Sequence, residues 1–250
     1  MFLGIFEAMR TLYIFPHPDD ESFGPAPVIY RQIQNGEEVH LLTLTRGGAT
    51  KMRYKYDLSI KEMGDVRYKE MLKVKDVLGL SSMEVLDLED GGLAKINPID
   101  FEDLLYKKIF DLKPDIIVTY PIHGISGHHD HLYIHAILKR MMAVQRRKNN
   151  PNWTVKRLAF FTLPRPDGTE KSGGNSHVNT TKKENIDCIV NLTSLEKAKL
   201  KEALYCYETF IDVILETGVI EGIGDKVHFE FFEESFQPPI DQLTAKLASV

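Results

Sequence analysis

The sequence contains little cysteine and no long apolar run. Cys188 and Cys206 are its two cysteines, and their separation matches no zinc-binding spacing. Two distant cysteines are typical of a reduced protein, so we expect a cytoplasmic location. No apolar stretch approaches the roughly 20 residues needed to cross a bilayer. The short apolar opening lacks the basic start and small-residue cleavage site of a signal peptide.

An excess of positive charge is also missing. The formal net charge is -5, which gives no support to a nucleic acid or an acidic membrane surface as a partner. The basic run at 146–150 is typical of a solvated helix end. We therefore expect a small-molecule substrate, with no nucleic-acid and no membrane partner. A homo-oligomer is compatible with this composition.

Strand-like and helix-like segments alternate over most of the chain. Apolar runs indicate strands, and amphipathic runs that stop at Gly or before Pro indicate helices. The predicted strands are 11–15, 38–45, 83–88 and 115–121, and the predicted helices are 22–34, 61–78, 100–112 and 129–147. Because parallel strands need crossover connections, this order predicts an α/β, Rossmann-like fold. Its sheet is mostly parallel, with helices on both faces.

The C-terminal part is expected to extend the same domain. It contains further predicted strands at 155–163, 185–192 and 226–232 and a predicted helix at 194–211. We interpret residues 1–250 as a single domain with a core at about 11–165 and C-terminal additions at 166–250. The polar loop 164–183 is long enough to be a lid or simply disordered.

Two clusters of polar residues follow the first and fourth predicted strands. The first strand runs into "PHPDDE", which contains His17, Asp19, Asp20 and Glu21, and the fourth runs into "PIHGISGHHDHLYIH". Five of the nine histidines lie in this second stretch. The carboxyl ends of parallel strands share one edge of the sheet, where ligands bind. The two clusters can therefore meet, and a bound cation would relieve the repulsion between the carboxylates.

Residue spacing narrows the choice of ligands. His17 and Asp20 are three residues apart, as are His128 and His131, whereas His135 follows His131 by four. Imidazole and carboxylate donors suit zinc, although other first-row divalent metals are plausible. Three protein ligands leave a position for water, and a spare carboxylate could remove its proton. This combination predicts metal-assisted hydrolysis.

Several of these residues also have structural interpretations. The three acids could favour a helix N-terminus through its dipole, and His135 is better explained as a satisfied polar residue. Arg46 follows the second strand and could either form a tight turn or hold a substrate hydroxyl or carboxylate. Asp90 follows the third strand, in "LEDGGL", and has the same two interpretations.

These motifs resemble a known family. "PHPDDE" after the first strand, together with "GHHDH" after the fourth, is similar to the PIG-L/LmbE deacetylases, and the likeness covers roughly the first 165 residues. The family's members are zinc-dependent hydrolases that remove acetyl groups from N-acetylglucosamine-type substrates. The resemblance is strongest to bacterial deacetylases of small GlcNAc conjugates, including those of the bacillithiol pathway. It implies an LmbE-like deacetylase domain that acts on GlcNAc-malate or a related sugar.

Matched residue by residue, the family pattern implies a role for each site residue. His17, Asp20 and His131 would hold the zinc ion, and Asp19 would be the general base. His128 would be a protonated imidazole that stabilises the oxyanion and assists the leaving amine, and Asp130 would orient it. The resemblance further implies that Arg46 contacts sugar hydroxyls.

The sequence departs from the family pattern at three positions. His129 stands where the family commonly has Pro, Gly48 stands where many members have Glu, and Ser126 stands where some relatives have an aromatic residue. The departure at Gly48 affects the expected substrate and not the expected zinc chemistry, and Ser126 offers no tyrosine that could assist at that position. Two alternatives to a deacetylase stay open from sequence. One is a metal-dependent phosphoester hydrolase, which would usually assemble two metals, and the other is an inactive, metal-stabilised sugar-binding protein.

Overall fold

The computed structural model describes residues 8–167 and 178–247 and places their strands in one sheet. His177 and the centre of the predicted loop 164–183 lie outside the described residues. The strands are β1 Arg10–Phe15, β2 Glu38–Thr45, β3 Ser82–Leu88, β4 Ile116–Thr119, β5 Arg157–Thr162, β6 Cys188–Asn191 and β7 Lys226–Phe231. Their order is β3-β2-β1-β4-β5-β7-β6. Strands β1 to β5 are parallel, and β7 is antiparallel to both β5 and β6. The predicted α/β, mostly parallel fold is confirmed.

Helices cover both faces of this sheet. They are α1 Ala26–Gln34, α2 Ile60–Leu78, α3 Pro98–Leu112, α4 Gly124–Gly127, α5 His129–Arg147, α6 Ser194–Tyr205, α7 Ile211–Thr217 and α8 Val219–Gly222. Side chains of β1 alternate between the two faces. Tyr13 and Phe15 pack with residues of α1, α2 and α6, whereas Leu12 and Ile14 pack with residues of α3 and α5. No helix of the described residues is both long enough and apolar enough to span a membrane.

Two predicted helix boundaries are wrong. Helix α1 begins at Ala26 and not at residue 22. Asp19 instead starts a turn, in which its carbonyl accepts hydrogen bonds from the backbone N–H groups of Ser22 and Phe23 at 2.8 and 2.9 Å. Proline at position 25, which has no N–H, is suited to the start of the helix. The helix predicted at 194–211 ends at Tyr205, after which a 3₁₀ turn, Glu208–Phe210, leads into α7.

The order of the strands in the sheet places a crevice between the carboxyl ends of β1 and β4. Strand β1 pairs with β2 on one side and with β4 on the other, so the direction of winding reverses there. Ligands of open α/β sheets bind at such a reversal, outside the carboxyl ends of the strands. Both predicted motifs follow these two strands, and they therefore flank the crevice.

A buried arginine fastens the C-terminal segment to the sheet. The guanidinium of Arg157 on β5 is fully buried and donates to the Glu234 carboxylate from Nε at 3.1 Å and Nη2 at 2.7 Å. Its Nη1 donates to the carbonyls of Leu243 and Ala245. The same group lies 4.3 Å from the centre of the Phe231 ring. Each contact joins β5 to residues more than seventy positions later in the chain.

We expect Arg157→Met to lower the free energy of unfolding by about 3–5 kcal/mol, because it leaves the Glu234 carboxylate and two carbonyls without their donor. Urea denaturation measures this loss. Lys197→Met is the matched control, since Lys197 forms only an exposed ion pair with Asp225, and it should cost less than about 1 kcal/mol. Similar losses for the two variants would contradict the assigned role of Arg157.

Candidate metal centre

The turn after β1 holds Asp20 in a fixed orientation. One carboxylate oxygen of Asp20 accepts the backbone N–H of His17 at 2.8 Å, and the other accepts the hydroxyl of Tyr120 at 2.6 Å. Asp19, the next residue back, has a φ of +88°. Positive φ is uncommon outside glycine, although Asp and Asn tolerate it best. The two neighbouring carboxylates therefore leave the turn in different directions.

The turn after β4 is strained and orients His131. Ile125 has φ 58° and ψ -69°, a conformation that is costly for a β-branched residue. The Ile125 carbonyl accepts two hydrogen bonds from Asn179, from the backbone N–H at 2.7 Å and from Nδ2 at 3.2 Å. The preceding carbonyl, of Gly124, lies 2.9 Å from Nδ1 of His131. The strain is thus held in place by the segment that begins at 178.

The hydrogen bonds of both histidines define their tautomers. Nδ1 of His131 faces the Gly124 carbonyl, which can only accept, so this nitrogen carries the proton and Nε2 is left with a lone pair. Nε2 of His17 lies 3.1 Å from a carboxylate oxygen of Asp130 and 3.3 Å from one of Asp90. In the neutral ring of His17 this nitrogen carries the proton, which leaves a lone pair on Nδ1.

The two unprotonated nitrogens face one another beside a carboxylate. Nδ1 of His17 lies 3.3 Å from Nε2 of His131. The Asp20 carboxylate lies 3.4 Å from that His131 nitrogen and 3.6 Å from that His17 nitrogen. Three acceptors at these separations repel each other unless a cation lies between them. The donor set, two imidazoles and a carboxylate, fits zinc and related divalent metals.

The pKa shifts in this cluster follow from the contacts between its imidazoles and its carboxylates. Burial lowers the pKa of His17, but hydrogen bonds to Asp130 and Asp90 and the charge of Asp20 outweigh burial and raise it to about 10. Burial raises the pKa of Asp20, but the contacts with His131 and His17 lower it to about 2. The cluster therefore stabilises positive charge at this point, whether a proton or a metal ion carries it.

Asp130 positions His17, and its predicted contact with His128 is wrong. The Asp130 carboxylate is fully buried, contacts His17 and accepts the backbone N–H groups of Gly91 at 2.8 Å and Leu93 at 3.1 Å. Only the backbone N–H of Asp130 reaches His128, and it donates to Nδ1 at 3.2 Å because His128 caps α5. A carboxylate that accepts the second N–H of a histidine is a frequent partner of metal-binding histidines.

His128 lies at the rim of the cluster. Its side chain is exposed, and its ring centre lies 4.5 Å from that of His17 and 5.3 Å from that of His131. Burial lowers the pKa of His128, and the nearby imidazoles of His17 and His131 lower it further. The implied protonated imidazole is thus not the form that the protein favours by itself. His135, in contrast, places Nδ1 3.0 Å from the Tyr120 carbonyl, whereas its buried Nε2 has no hydrogen-bond partner among the described residues, so the expected satisfied polar residue is satisfied at one nitrogen.

Within the described residues, two groups of three potential ligand atoms lie within 4.8 Å of one another. The first group consists of His17, His128 and His131, so that His128 stands in place of Asp20. The second consists of His17, Asp90 and Asp130. In the second group both Asp130 oxygens already accept backbone N–H groups, and Asp90 accepts the N–H of Ala49 at 2.8 Å. These carboxylates are therefore better suited to holding His17 than to binding an ion of their own.

The cluster forms the wall of a cavity of about 400 Å³, a size typical of small-molecule sites. Its lining residues are His17, Asp19, Asp20, Ala49, Thr50, Lys51, Arg67, Asp90, Gly91, Ser126, His128, His131 and Phe210. Arg46 is not among them. Its guanidinium binds the Asp65 carboxylate at 2.9 Å and lies over the ring of Tyr68. The structure therefore brings Asp90 to the site but does not bring Arg46.

Sequence reasoning missed Arg67, a buried residue of α2. Its guanidinium forms an ion pair with the Asp19 carboxylate and donates to the carbonyls of Pro18 at 2.7 Å and Gly47 at 3.2 Å. The ring of Phe210 packs on the same guanidinium at 4.2 Å. Burial raises the pKa of Asp19 to about 6 although Arg67 opposes this effect. Asp19 is thus ionised at neutral pH and is still a good proton acceptor.

The C-terminal part also supplies a partner for Glu21. The Tyr207 and Ser22 hydroxyls both donate to one oxygen of the fully buried Glu21 carboxylate, each at 2.6 Å. Burial raises the pKa of Glu21 to about 7. Tyr207 lies 186 positions from Glu21 in the chain. Glu21 therefore fastens the turn after β1 to the C-terminal part, and it does not lie at a helix N-terminus, since α1 begins at Ala26.

Comparison with known proteins identifies the family. The family model described as PIG-L: GlcNAc-PI de-N-acetylase matches residues 12–142, a range that includes both motifs. The chain belongs to the PIG-L family. The resemblance inferred from "PHPDDE" and "GHHDH" is confirmed.

Curated members of the PIG-L family match this chain in part. A mycothiol S-conjugate amidase of Streptomyces coelicolor is 30% identical over 149 residues, which are 52% of this chain and 50% of the relative. The chain thus spans about half the length of this relative. A probable N-acetyl-α-D-glucosaminyl L-malate deacetylase of Bacillus anthracis is 23% identical over 179 residues, which are 71% of this chain and 75% of the relative.

Solved structures show the same fold. The N,N'-diacetylchitobiose deacetylase of Pyrococcus horikoshii has a TM-score of 0.60 at 19% identity, and covers 90% of this chain and 84% of its own. A 4-carboxy-2-hydroxymuconate hydratase of Pseudomonas putida KT2440 has a TM-score of 0.62 at 14% identity, and covers 91% of this chain and 98% of its own. Because a deacetylase and a hydratase share the fold, the activity must be argued from the site.

Proposed function

We propose that this PIG-L family member is a metal-dependent hydrolase that removes the N-acetyl group from a glucosamine conjugate. One observation carries the proposal. The facing lone pairs of His17 and His131 converge with Asp20 in a cavity that also contains a separate, proton-accepting carboxylate, Asp19. A ligand set with a spare base beside it is the arrangement that hydrolysis of an amide needs. The names of curated relatives support an N-acetylated sugar as the substrate.

His17, Asp20 and His131 would hold the metal, and zinc is the ion that best suits them. When bound, such an ion supplies a Lewis acid that polarises the acetyl carbonyl and makes water more acidic. Asp130 keeps the proton of His17 on Nε2, so that Nδ1 stays available as a ligand. Gly124 does the same for His131, because its carbonyl keeps that proton on Nδ1.

Asp19 would move the proton, and His128 would stabilise the developing charge. Asp19 takes a proton from the attacking water and passes it to the departing amine, and the ion pair with Arg67 fixes the direction in which its carboxylate points. His128 donates a hydrogen bond to the developing oxyanion. Its position as the cap of α5 holds Nδ1 as an acceptor, so the other nitrogen carries the proton in the neutral ring.

The contacts favour one metal ion over two. A two-metal phosphoester hydrolase would need a second set of free donors close to the first. Asp90 and Asp130 are the candidates, but backbone N–H groups already occupy them. Asp19 and His128 both line the cavity, which supports an active enzyme over an inactive sugar-binding protein.

Acetate release tests the proposal. The purified protein is incubated with N-acetylglucosamine, its malate and inositol conjugates and diacetylchitobiose, before and after treatment with a chelator. We expect acetate release from at least one conjugate, loss of that activity with chelator and recovery when zinc is restored. Phosphate release from a phosphomonoester, without acetate release from any sugar, would refute the proposal in favour of the phosphoester hydrolase.

Arg67 and Arg46 provide a matched pair for testing the geometry. We expect Arg67→Met to lower kcat by about 10- to 100-fold, the usual cost of removing the partner that orients a group of the site, with little change in metal content. Arg46→Met should change kcat and KM less than about threefold, because Arg46 does not line the cavity. A large rise of KM in Arg46→Met alone would instead support the sugar contact that the sequence resemblance implied.

A further inference from the structure

The segment after β2 forms part of the cavity wall and is anchored there by its backbone. The Ala49 N–H donates to the Asp90 carboxylate at 2.8 Å, which ties the segment to the acidic cluster. The Thr50 hydroxyl accepts the N–H of Met52 at 3.3 Å and caps the short 3₁₀ helix Lys51–Tyr54. These contacts fix the backbone on both sides of Lys51 without using its amine.

The charges around the cavity make Lys51 distinctive. Two basic side chains line the cavity, Lys51 and Arg67. The guanidinium of Arg67 already pairs with the Asp19 carboxylate and donates to two backbone carbonyls. Within the described residues, no hydrogen bond or ion pair of the Lys51 amine is found. Nearby lysines differ in this respect, since Lys55 pairs with Asp212 and Lys61 pairs with Asp65.

The acids of the cavity restrict where a charged substrate could lie. Asp90 lines the cavity, and its carboxylate would repel a negative group of the substrate, whereas Asp19 is paired with Arg67 and Asp20 belongs to the proposed ligand set. An unpartnered ammonium in the wall is the favourable position for such a group. Phe210, which also lines the cavity, offers an apolar surface to a sugar ring.

We infer that Lys51 binds an anionic group, a carboxylate or a phosphate, on the aglycone of the substrate. The inference rests on the proposed function, since it assumes that an N-acetyl sugar occupies the cavity. Lys51 then selects among conjugates and takes no part in the chemistry. Loss of its amine should weaken binding of anionic conjugates and leave neutral ones unaffected.

The experiment compares three substrates and four proteins. The substrates are the malate conjugate of N-acetylglucosamine, N-acetylglucosamine 1-phosphate and the neutral methyl glycoside. The proteins are the zinc-loaded wild type, Lys51→Met, Lys51→Arg and a control, Lys69→Met, which removes an exposed lysine of α2 that does not line the cavity. Acetate release gives kcat and KM for each pair, and the two anionic substrates distinguish a carboxylate from a phosphate as the preferred group.

For Lys51→Met we expect KM to rise about tenfold for the preferred anionic conjugate, as for loss of one charge-assisted contact at a partly exposed site. Its kcat should change less than twofold, and both constants for the methyl glycoside should stay the same. Lys51→Arg should retain most of the preference, and Lys69→Met all of it. Equal KM changes for charged and neutral substrates, or no preference in the wild type, would overturn the inference. Absence of acetate release from all three substrates by the wild type would overturn the proposed function instead.

Discussion

Asp19→Asn should lower kcat for acetate release by about 10²- to 10⁴-fold, the contribution typical of a positioned general base. The amide cannot accept a proton from water, although it has nearly the shape of the carboxylate. Asparagine is the appropriate replacement because Asp19 has a φ of +88°, a conformation that Asn tolerates and Ala does not. The turn that holds His17 and Asp20 should therefore persist, and kcat measured at full zinc loading isolates the loss of the base.

Metal content and thermal stability provide the controls for Asp19→Asn. Both should stay close to the wild type, since Asp19 is not one of the three proposed ligands. A kcat within threefold of the wild type would mean that another group removes the proton. Loss of the metal would mean that Asp19 belongs to the ligand set, in which case its role as a base would have to be abandoned.

Asp20→Asn should weaken zinc binding by more than the roughly 10- to 100-fold that loss of an outer partner costs. Asp20 is the only proposed anionic ligand, and a neutral amide is a much poorer donor. The amide oxygen can still accept the His17 N–H, and the amide NH2 can donate to the Tyr120 hydroxyl oxygen in place of accepting from it, so the turn should keep its shape. Competition with a chromogenic chelator measures the zinc affinity without requiring any activity.

His128→Asn is the control for Asp20→Asn, because comparing the zinc affinities of the two variants distinguishes Asp20 from His128 as the third ligand. Asparagine is a good helix N-cap, so α5 should stay intact while the imidazole is lost. We expect zinc affinity within about threefold of the wild type but a kcat roughly 10²-fold lower, as for loss of a hydrogen-bond donor to the oxyanion. A loss of zinc equal to that of Asp20→Asn would favour the other donor group, with His17, His128 and His131 as ligands.

The general location of the site could be predicted because topology decides it. "PHPDDE" and "GHHDH" follow β1 and β4, and the edge they share follows from the alternation of strands and helices. The local geometry of His17 and Asp20 could not be predicted from their spacing. Prolines flank the stretch in which the sequence predicts a helix from residue 22, and a turn with a positive φ at Asp19 forms instead.

Arg67 could have been found from the sequence. Helix α2 buries a stripe of Met63, Met71, Val74 and Leu78, and Arg67 lies within that stripe. A charge on the apolar face of a helix needs a buried partner. No pattern identified this partner as Asp19, however, because the two residues lie 48 positions apart and meet only when α2 packs on the sheet.

The contributions of Tyr207 and Phe210 could not be predicted at all. They depend on a 3₁₀ turn where the sequence favours a continuous helix. In the same way, the contact of Asp130 depends on side-chain direction, which spacing leaves undetermined. Asp130 is two residues from His128 in the chain, yet its carboxylate points to His17.

The most direct test is the position of the metal in a zinc-loaded crystal, located by anomalous scattering at the zinc edge. We predict a single site about 2.0–2.2 Å from Nδ1 of His17, Nε2 of His131 and a carboxylate oxygen of Asp20. Asp130 should remain hydrogen-bonded to Nε2 of His17. An ion bound instead at Nε2 of His17 with Asp90 and Asp130, or two ions in the cavity, would contradict this prediction.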